Sequence, residues 1–233
     1  MRIFAIADLH LAFDVEKPMH IFGDEWLHHA DKIQSSWEKT ITQDDLILLP
    51  GDLSWAMKDK EANKDLSFIA KLPGTKILLR GNHDYWWGTR SKVEKMAGKT
   101  CYVLQNNAIE MPDFVIVGTR GWTVPGTPSF TEEDNAIFSR EIERLRLSLQ
   151  EGAKYQKKML AMMHFPPALS TDQPSAFTDL LEEYGVSACV YGHLHGRSHQ
   201  YRLEGTIRTI KYQLVSADFL SFVPLEITSF LHE

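Results

Sequence analysis

Five times in this chain a short apolar run stops at an aspartate, an asparagine or a histidine. The runs are Ile3-Phe-Ala-Ile-Ala-Asp8-Leu-His10, Leu46-Ile-Leu-Leu-Pro-Gly-Asp52, Ile77-Leu-Leu-Arg-Gly-Asn82-His83-Asp84, Leu160-Ala-Met-Met-His164 and Cys189-Val-Tyr-Gly-His193-Leu-His195. Runs this short and apolar read as buried strands. Amphipathic stretches separate them. Trp26, Ala30, Ile33, Trp37 and Ile41 recur at helical spacing from near Asp24, Lys58 to Lys71 and Arg90 to Ala97 are helical in composition, and Ser175 to Tyr184 follows the fourth run. Strands alternating with helices make α/β architecture. In such sheets ligands bind beyond the carboxyl ends of the strands, so the five polar exits are expected to converge on one site.

The middle and the tail are richer in strands. Thr100 to Leu104, Ala108 to Met111 and Phe114 to Gly118 read as consecutive strands with polar turns between them. A Pro/Gly-rich loop from Gly121 to Phe130 carries Trp122. A Thr131/Asp134 pair then opens a helix striped by Phe138, Ile142, Leu145 and Leu149. The tail reads as three strands, near Gln200 to Leu203, Thr206 to Val215 and Phe222 to Ile227, with Glu204-Gly205 as a hairpin turn. No repeat or linker interrupts the chain. The expectation is one α/β domain over residues 1–233, with two sheets and helices outside.

The chemistry lies in the donor types. Carboxylates, imidazoles and one amide, with no thiolate, suit Mn²⁺, Fe²⁺/Fe³⁺ or Zn²⁺, and there are more donors than one ion needs. Two ions about 3.5–4 Å apart that share a bridging Asp can clamp the attacking and leaving oxygens of a phosphoryl displacement. The net charge of −6 argues against general nucleic-acid binding and against an anionic membrane surface. Cys101 and Cys189 each lie in an apolar run and read as buried free thiols. No run approaches membrane-spanning length, and a cytoplasmic location is expected.

Asp8-x-His10, Gly51-Asp52, Gly81-Asn82-His83-Asp84, His164 followed by Pro166-Pro167, and Gly192-His193-x-His195 resemble, in order, the five signatures of the calcineurin-like metallophosphoesterases. The resemblance implies a four-layer α/β/β/α sandwich with two mixed sheets between helices. It also implies that Asp8, His10 and His195 hold one metal ion, that Asn82, His164 and His193 hold a second, and that Asp52 bridges them. A metal-bound hydroxide would be the nucleophile. His83 would act on the leaving oxygen, with Asp84 as its adjacent support. The implied substrate is a phosphomonoester or phosphodiester of a small molecule or nucleotide; a catalytically silent scaffold and a nuclease are the alternatives.

One departure is plain. Protein Ser/Thr phosphatases of this superfamily continue the second signature with Asp-Arg-Gly, whereas here Asp52 is followed by Leu53-Ser54-Trp55-Ala56. The Asp that would orient the catalytic His is replaced by Trp55 and the phosphate-gripping Arg by Ala56, which disfavours that branch. Around the signatures, Tyr85, Trp86 and Trp87 either wall the site or pack the next helix. Trp122 either overhangs the site or anchors its loop. Arg80 and Arg197 are the cations nearest the signatures, either gripping phosphate or making surface ion pairs. The charged run from Arg140 to Arg146 reads as the wet face of a helix. His20, His28, His29, His199 and His232 match no signature, and His28 and His29 are expected to be solvated.

Overall fold

In a computed structural model, described here for residues 1–231, the chain forms two sheets that face each other. His232 and Glu233 lie outside the described residues. The first half runs β1 (Ile3–Ala5), α1 (His29–Thr40), β2 (Leu46–Pro50), α2 (Asn63–Lys71), β3 (Thr75–Leu79), α3 (Arg90–Ala97) and β4 (Cys101–Val103). The second half runs β5 (Ile109–Glu110), β6 (Phe114–Thr119), α4 (Asp134–Ala153), β7 (Lys158–Met163), α5 (Ala176–Glu183), β8 (Val186–Tyr191), β9 (Gly205–Ile207), β10 (Ile210–Leu214) and β11 (Leu225–Glu226). The sheets are ordered β11-β1-β2-β3-β4 and β5-β6-β7-β8-β10-β9. Both are mixed: the interior pairs are parallel, while β11, β5 and β9 add antiparallel edges.

The two-residue period of the strands sorts their side chains into layers. Ile3, Ala5, Leu46, Leu48, Ile77 and Leu79 turn toward the second sheet, meeting Ile116, Leu160, Met162, Ala188 and Val190 in an inter-sheet core. Phe4, Ile47, Leu49 and Leu78 turn the other way, onto Ile33, Trp37, Leu66, Ile69 and Val93 of the first three helices. Val117, Ala161, Met163 and Cys189 turn outward onto Ile142, Leu145, Leu149, Phe177 and Leu181. Because both faces of each central strand are covered, the runs are apolar throughout rather than alternating. The result is the expected α/β/β/α sandwich. Both cysteines are buried and free, and among the described residues no helix is long and apolar enough to cross a membrane.

Several elements differ from the sequence reading, most of them at chain turns. The helix expected from near Asp24 begins at His29. A short 3-10 segment over Asp24–Trp26 precedes it, and His28 is left-handed at φ 54°. The helix expected from Lys58 begins at Asn63, because the Glu61 carboxylate takes up the amides of Met57 and Lys58 and turns the chain. Gln200 to Leu203 is not a strand: Gly196–Tyr201 is a 3-10 helix. The backbone of Leu203 is instead satisfied by the buried Tyr191 hydroxyl, which accepts from its N–H and donates to its carbonyl. The hairpin turn falls at Arg208-Thr209, with φ 49° and 76°, and not at Glu204-Gly205. The charges of Asp179 and Glu182 on α5 hold Arg208 there at 3.0 and 2.9 Å. Phe222 to Ile227 contributes only the two-residue β11.

Candidate metal centre

The carboxyl ends of β1, β2, β3, β7 and β8 meet at one rim. Backbone bonds sew the exits together: Asp8 N–H donates to Gly51 O, His10 N–H to Asp52 O, Gly192 N–H to His164 O and His164 N–H to Arg120 O, at 2.9–3.1 Å. Asp8, His10, Asp52 and His193 all have left-handed backbones, with φ of 60°, 45°, 51° and 74°. A non-glycine residue seldom holds this conformation, and such strain gathers where a side chain must be aimed rather than where it is comfortable. Two glycines make room. A Cβ on Gly81 would collide with Asp52 Oδ1, and one on Gly192 would sit 2.5 Å from Asp8 Oδ2.

Each carboxylate is pinned by one oxygen and presents the other. Asp8 Oδ2 accepts from His193 N–H at 2.9 Å, leaving Oδ1 3.7 Å from His195 Nε2 and 3.8 Å from His164 Nδ1. Asp52 Oδ1 accepts from His83 N–H at 2.8 Å, leaving Oδ2 3.4 Å from His164 Nε2 and 3.9 Å from His10 Nε2. Asn82 Oδ1 lies 2.7 Å from His164 Nε2 and 3.0 Å from His193 Nδ1. Donor atoms of Asp8, His10 and His195 fall within 4.8 Å of one another, as do those of Asp8, Asp52 and His164. All seven residues named as ligands from the sequence are therefore neighbours.

The electrostatics fit a cation. Among the described residues, nothing hydrogen-bonds to the buried Asp8 Oδ1 or His10 Nδ1, a cost that a bound ion would relieve at Asp8. Burial pushes the His10 imidazole down to about 4 and, helped by His164, pushes His193 down to about 3, so both are neutral. Burial opposes charge on His195 too, but Asp8 and Asp218 overcome it and raise that ring to about 10. Burial likewise opposes charge on Asp52, yet His164, His10 and His83 hold it below the ordinary carboxylate range. Burial also opposes charge on His164, but Asp52 and Asp8 overcome it and raise that ring. Two neutral imidazoles and two ionised carboxylates suit a hard-to-borderline cation, and loading the site must displace the protons that the aspartates favour on His195 and His164.

His83 stands beside this cluster without joining it. Its ring lies 5.8 Å from His10 and 4.3 Å from Trp55. Trp55 also stacks on His10 at 4.8 Å and 21°, so one indole braces the ligand and the neighbouring imidazole together. Its Nε1–H points to Met19 Sδ at 3.0 Å, and Lys17 Nζ lies 4.6 Å above its ring. Trp55 occupies the sequence position at which the protein phosphatases carry Asp, and it holds His83 by contact instead of by a hydrogen bond.

The structure gives Asp84 a different place from the one expected. Its fully buried carboxylate accepts from Leu53 N–H, Ser54 N–H and Gly81 N–H and from Trp86 Nε1–H, at 2.8–3.1 Å. These bonds tie the loop after β2 to the loop after β3, and none reaches His83. Trp86 and Trp87 are core residues; Trp87 donates to Gln105. Of the three aromatics after Asp84, only Tyr85 is exposed, edge-on to His83 at 6.2 Å. Trp122 anchors its loop, donating to Asp134 at 2.8 Å and packing on Phe165 at 5.0 Å. Arg197 is exposed, and Arg80 lines a small cavity with Arg120 and Arg144. Within the charged run of α4, Glu141 is fully buried, accepting from Thr119, Arg120 and Arg144, so that face is not uniformly wet.

Sequence reasoning missed two contributors. Asp218 holds His195 Nδ1 at 2.9 Å through Oδ1 and accepts from Gly196 N–H at 3.0 Å through Oδ2. A carboxylate behind a ligating imidazole fixes its tautomer and orientation. The signal was present: Leu214-Val-Ser-Ala-Asp218 is a sixth apolar strand exit ending in Asp, on β10 next to β8. The second is His29, half-buried rather than solvated, with its Nε2 3.2 Å from His10 O and its Nδ1 3.2 Å from Trp26 O. His28 is exposed, as expected.

The calcineurin-like phosphoesterase family model matches residues 1–197. No curated protein sequence matches the chain significantly. Among solved structures, phosphopantetheinyl hydrolase from Mycobacterium tuberculosis is similar at TM-score 0.57 and 14% identity, over 97% of this chain and 95% of that one. A protein of unknown function from Aquifex aeolicus is similar at 0.53 and 16%, over 97% and 95%, and a protein from Thermus thermophilus at 0.52 and 13%, over 83% and 82%. At such identities these likenesses speak to the fold alone. With the family match spanning all five strand exits and the sandwich built as that family requires, the chain belongs to the calcineurin-like phosphoesterases.

Proposed function

We propose that this protein hydrolyses phosphoesters at a two-metal centre. The observation that carries the reading is the position of Asp52: its free oxygen lies 3.9 Å from His10 Nε2 and 3.4 Å from His164 Nε2, within reach of candidate ligands for both ions, so that one carboxylate can serve two ions. Asp8, His10 and His195 would hold one ion, Asn82, His164 and His193 the other, and Asp52 both. Mn²⁺, Fe or Zn²⁺ suits these donors. Bound there, such ions supply Lewis-acid polarisation of phosphoryl oxygens and acidify water toward neutral pH.

The chain's own residues do the positioning. The backbone amides of His83 and His193 aim the two aspartates, and Asp218 aims His195. His83, braced by Trp55, stands at the rim where a leaving oxygen can receive a hydrogen bond or proton from its imidazole. A fold neighbour named for phosphopantetheinyl hydrolysis is compatible with ester cleavage on this scaffold.

The test is Mn²⁺-repleted protein against p-nitrophenyl phosphate and bis-p-nitrophenyl phosphate. Asp52→Asn should abolish turnover of both while metal analysis reads a loss of bound ion. Undiminished metal-dependent turnover in Asp52→Asn would sink the proposal. His83→Ala should keep its metal and lose about 10²-fold or more in kcat.

A further inference from the structure

Beside the metal centre lies a cavity of about 380 Å³ that the chemistry above does not use. His193 forms part of its wall, so the space begins where a candidate metal ligand ends. Phe165 continues the wall, its ring 4.0 Å from the His193 ring and tilted by 33°. Of the residues lining it, Val124, Phe165 and Ala168 are buried, Leu169 and Leu194 are half-buried, and Tyr201 is exposed. Among the described residues, no Asp, Glu, Lys or Arg lines the cavity.

Much of one wall comes from the Pro/Gly-rich loop over residues 121–130, and that loop is held in place. Trp122 ties its start to Asp134, and Phe130 N–H donates to Thr127 O at 2.9 Å. Gly126, at φ 97°, lets the loop pass so close to Leu169 that a Cβ would lie 3.0 Å from that side chain. The cavity is thus preformed, mainly apolar with a few hydroxyls such as those of Thr123, Thr127 and Ser198 among its lining residues, and of the size that small organic ligands fill.

On the phosphoesterase reading, whatever sits there is attached to the phosphorus held at the metals. We infer that this cavity receives an uncharged, mainly apolar arm of the phosphoester, such as an alkyl, aryl or neutral amide-bearing chain. A second phosphate or a carboxylate in the arm would be desolvated with no cation to meet it, which is costly. Arg80, Arg120 and Arg144 line a separate cavity of about 60 Å³, together with the Glu141 carboxylate that Arg120 and Arg144 bind. Polyphosphorylated small molecules and nucleic-acid chains therefore do not fit this pocket.

The test is a binding series that does not depend on turnover. Ethyl-, butyl- and hexylphosphonate are titrated calorimetrically into Mn²⁺-loaded protein. Dissociation constants should fall by up to about fourfold for each methylene that becomes fully buried, levelling once the cavity is filled. In Leu169→Glu the gain with chain length should vanish while ethylphosphonate binds as before, and Leu169→Met should keep the gain. Thermal melts confirm that each variant is folded. A flat series in the parent protein, an unchanged series in Leu169→Glu, or no phosphonate binding at all would overturn the inference. A normal series with no hydrolysis of any p-nitrophenyl ester supports the pocket and overturns only the hydrolase reading.

Discussion

Asp84→Asn separates a bracing role from a catalytic one. Asp84 Oδ1 accepts from three donors, the amides of Leu53 and Ser54 and the Trp86 indole, while Oδ2 accepts from Gly81 N–H at 2.8 Å. An asparagine can satisfy the three by pointing its carbonyl at them. Its Nδ2–H₂ then faces Gly81 N–H, donor against donor, and one buried amide is left unpaired. Such a group costs about 1–3 kcal/mol. For a 233-residue domain, about 2 kcal/mol corresponds to a Tm lower by about 4–8 °C. Gly81 backs directly onto Asp52, so the same shift displaces the candidate bridging ligand. A displacement approaching 1 Å lowers turnover on the order of 10²-fold. Scanning calorimetry and kcat on p-nitrophenyl phosphate measure both effects. Lost turnover with Tm unchanged within about 1 °C would refute the bracing argument and point to direct participation by the carboxylate.

Three further outcomes follow from the site and its frame. Asp218→Asn should weaken Mn²⁺ affinity by about 10–100-fold, because His195 loses the carboxylate that orients it; equal affinities in a metal titration would show that Asp218 does not act through His195. Trp55→Ala should reduce kcat on the order of 10²-fold by freeing the rings of His10 and His83, with Trp55→Phe recovering part of it; a change confined to KM would mean that Trp55 contacts substrate instead. Away from the site, burial opposes charge on Asp45, yet the Arg2 guanidinium and the Thr42 donors hold its carboxyl well below the usual range. A depressed folded-state pKa gives stability that is present above the unfolded value, about 3.9, and lost as pH falls through the folded one. Melts of the parent and Asp45→Asn should accordingly differ at pH 7 and begin to converge only as pH falls below about 4, the gap narrowing steadily toward the folded-state value; a gap constant from pH 7 down to pH 2 would contradict the assignment.

What the sequence by itself determined is considerable. The short apolar runs read as strands covered on both faces, their exits offer the polar donors, and the resemblance to the metallophosphoesterases selects seven of those donors as ligands. The spacing of polar types at the ends of five strands is local information, and it survives being read one strand at a time. Tertiary structure decided what depends on direction. Whether Asp84 faces His83 or the backbone amides of two loops is set by φ, ψ and rotamer, and the sequence is silent on those. Trp86 and Trp87 are core because the turn after His83 points them inward, while adjacent Tyr85 points out. Glu141 is buried although it lies in a charged run, because Thr119 and Arg120 at the end of β6 reach it. Asp218 becomes the partner of His195 only because β10 pairs with β8, a contact between residues 23 apart. The mainly apolar cavity has no signature at all, since its walls come from separated segments of the chain and only their packing encloses it.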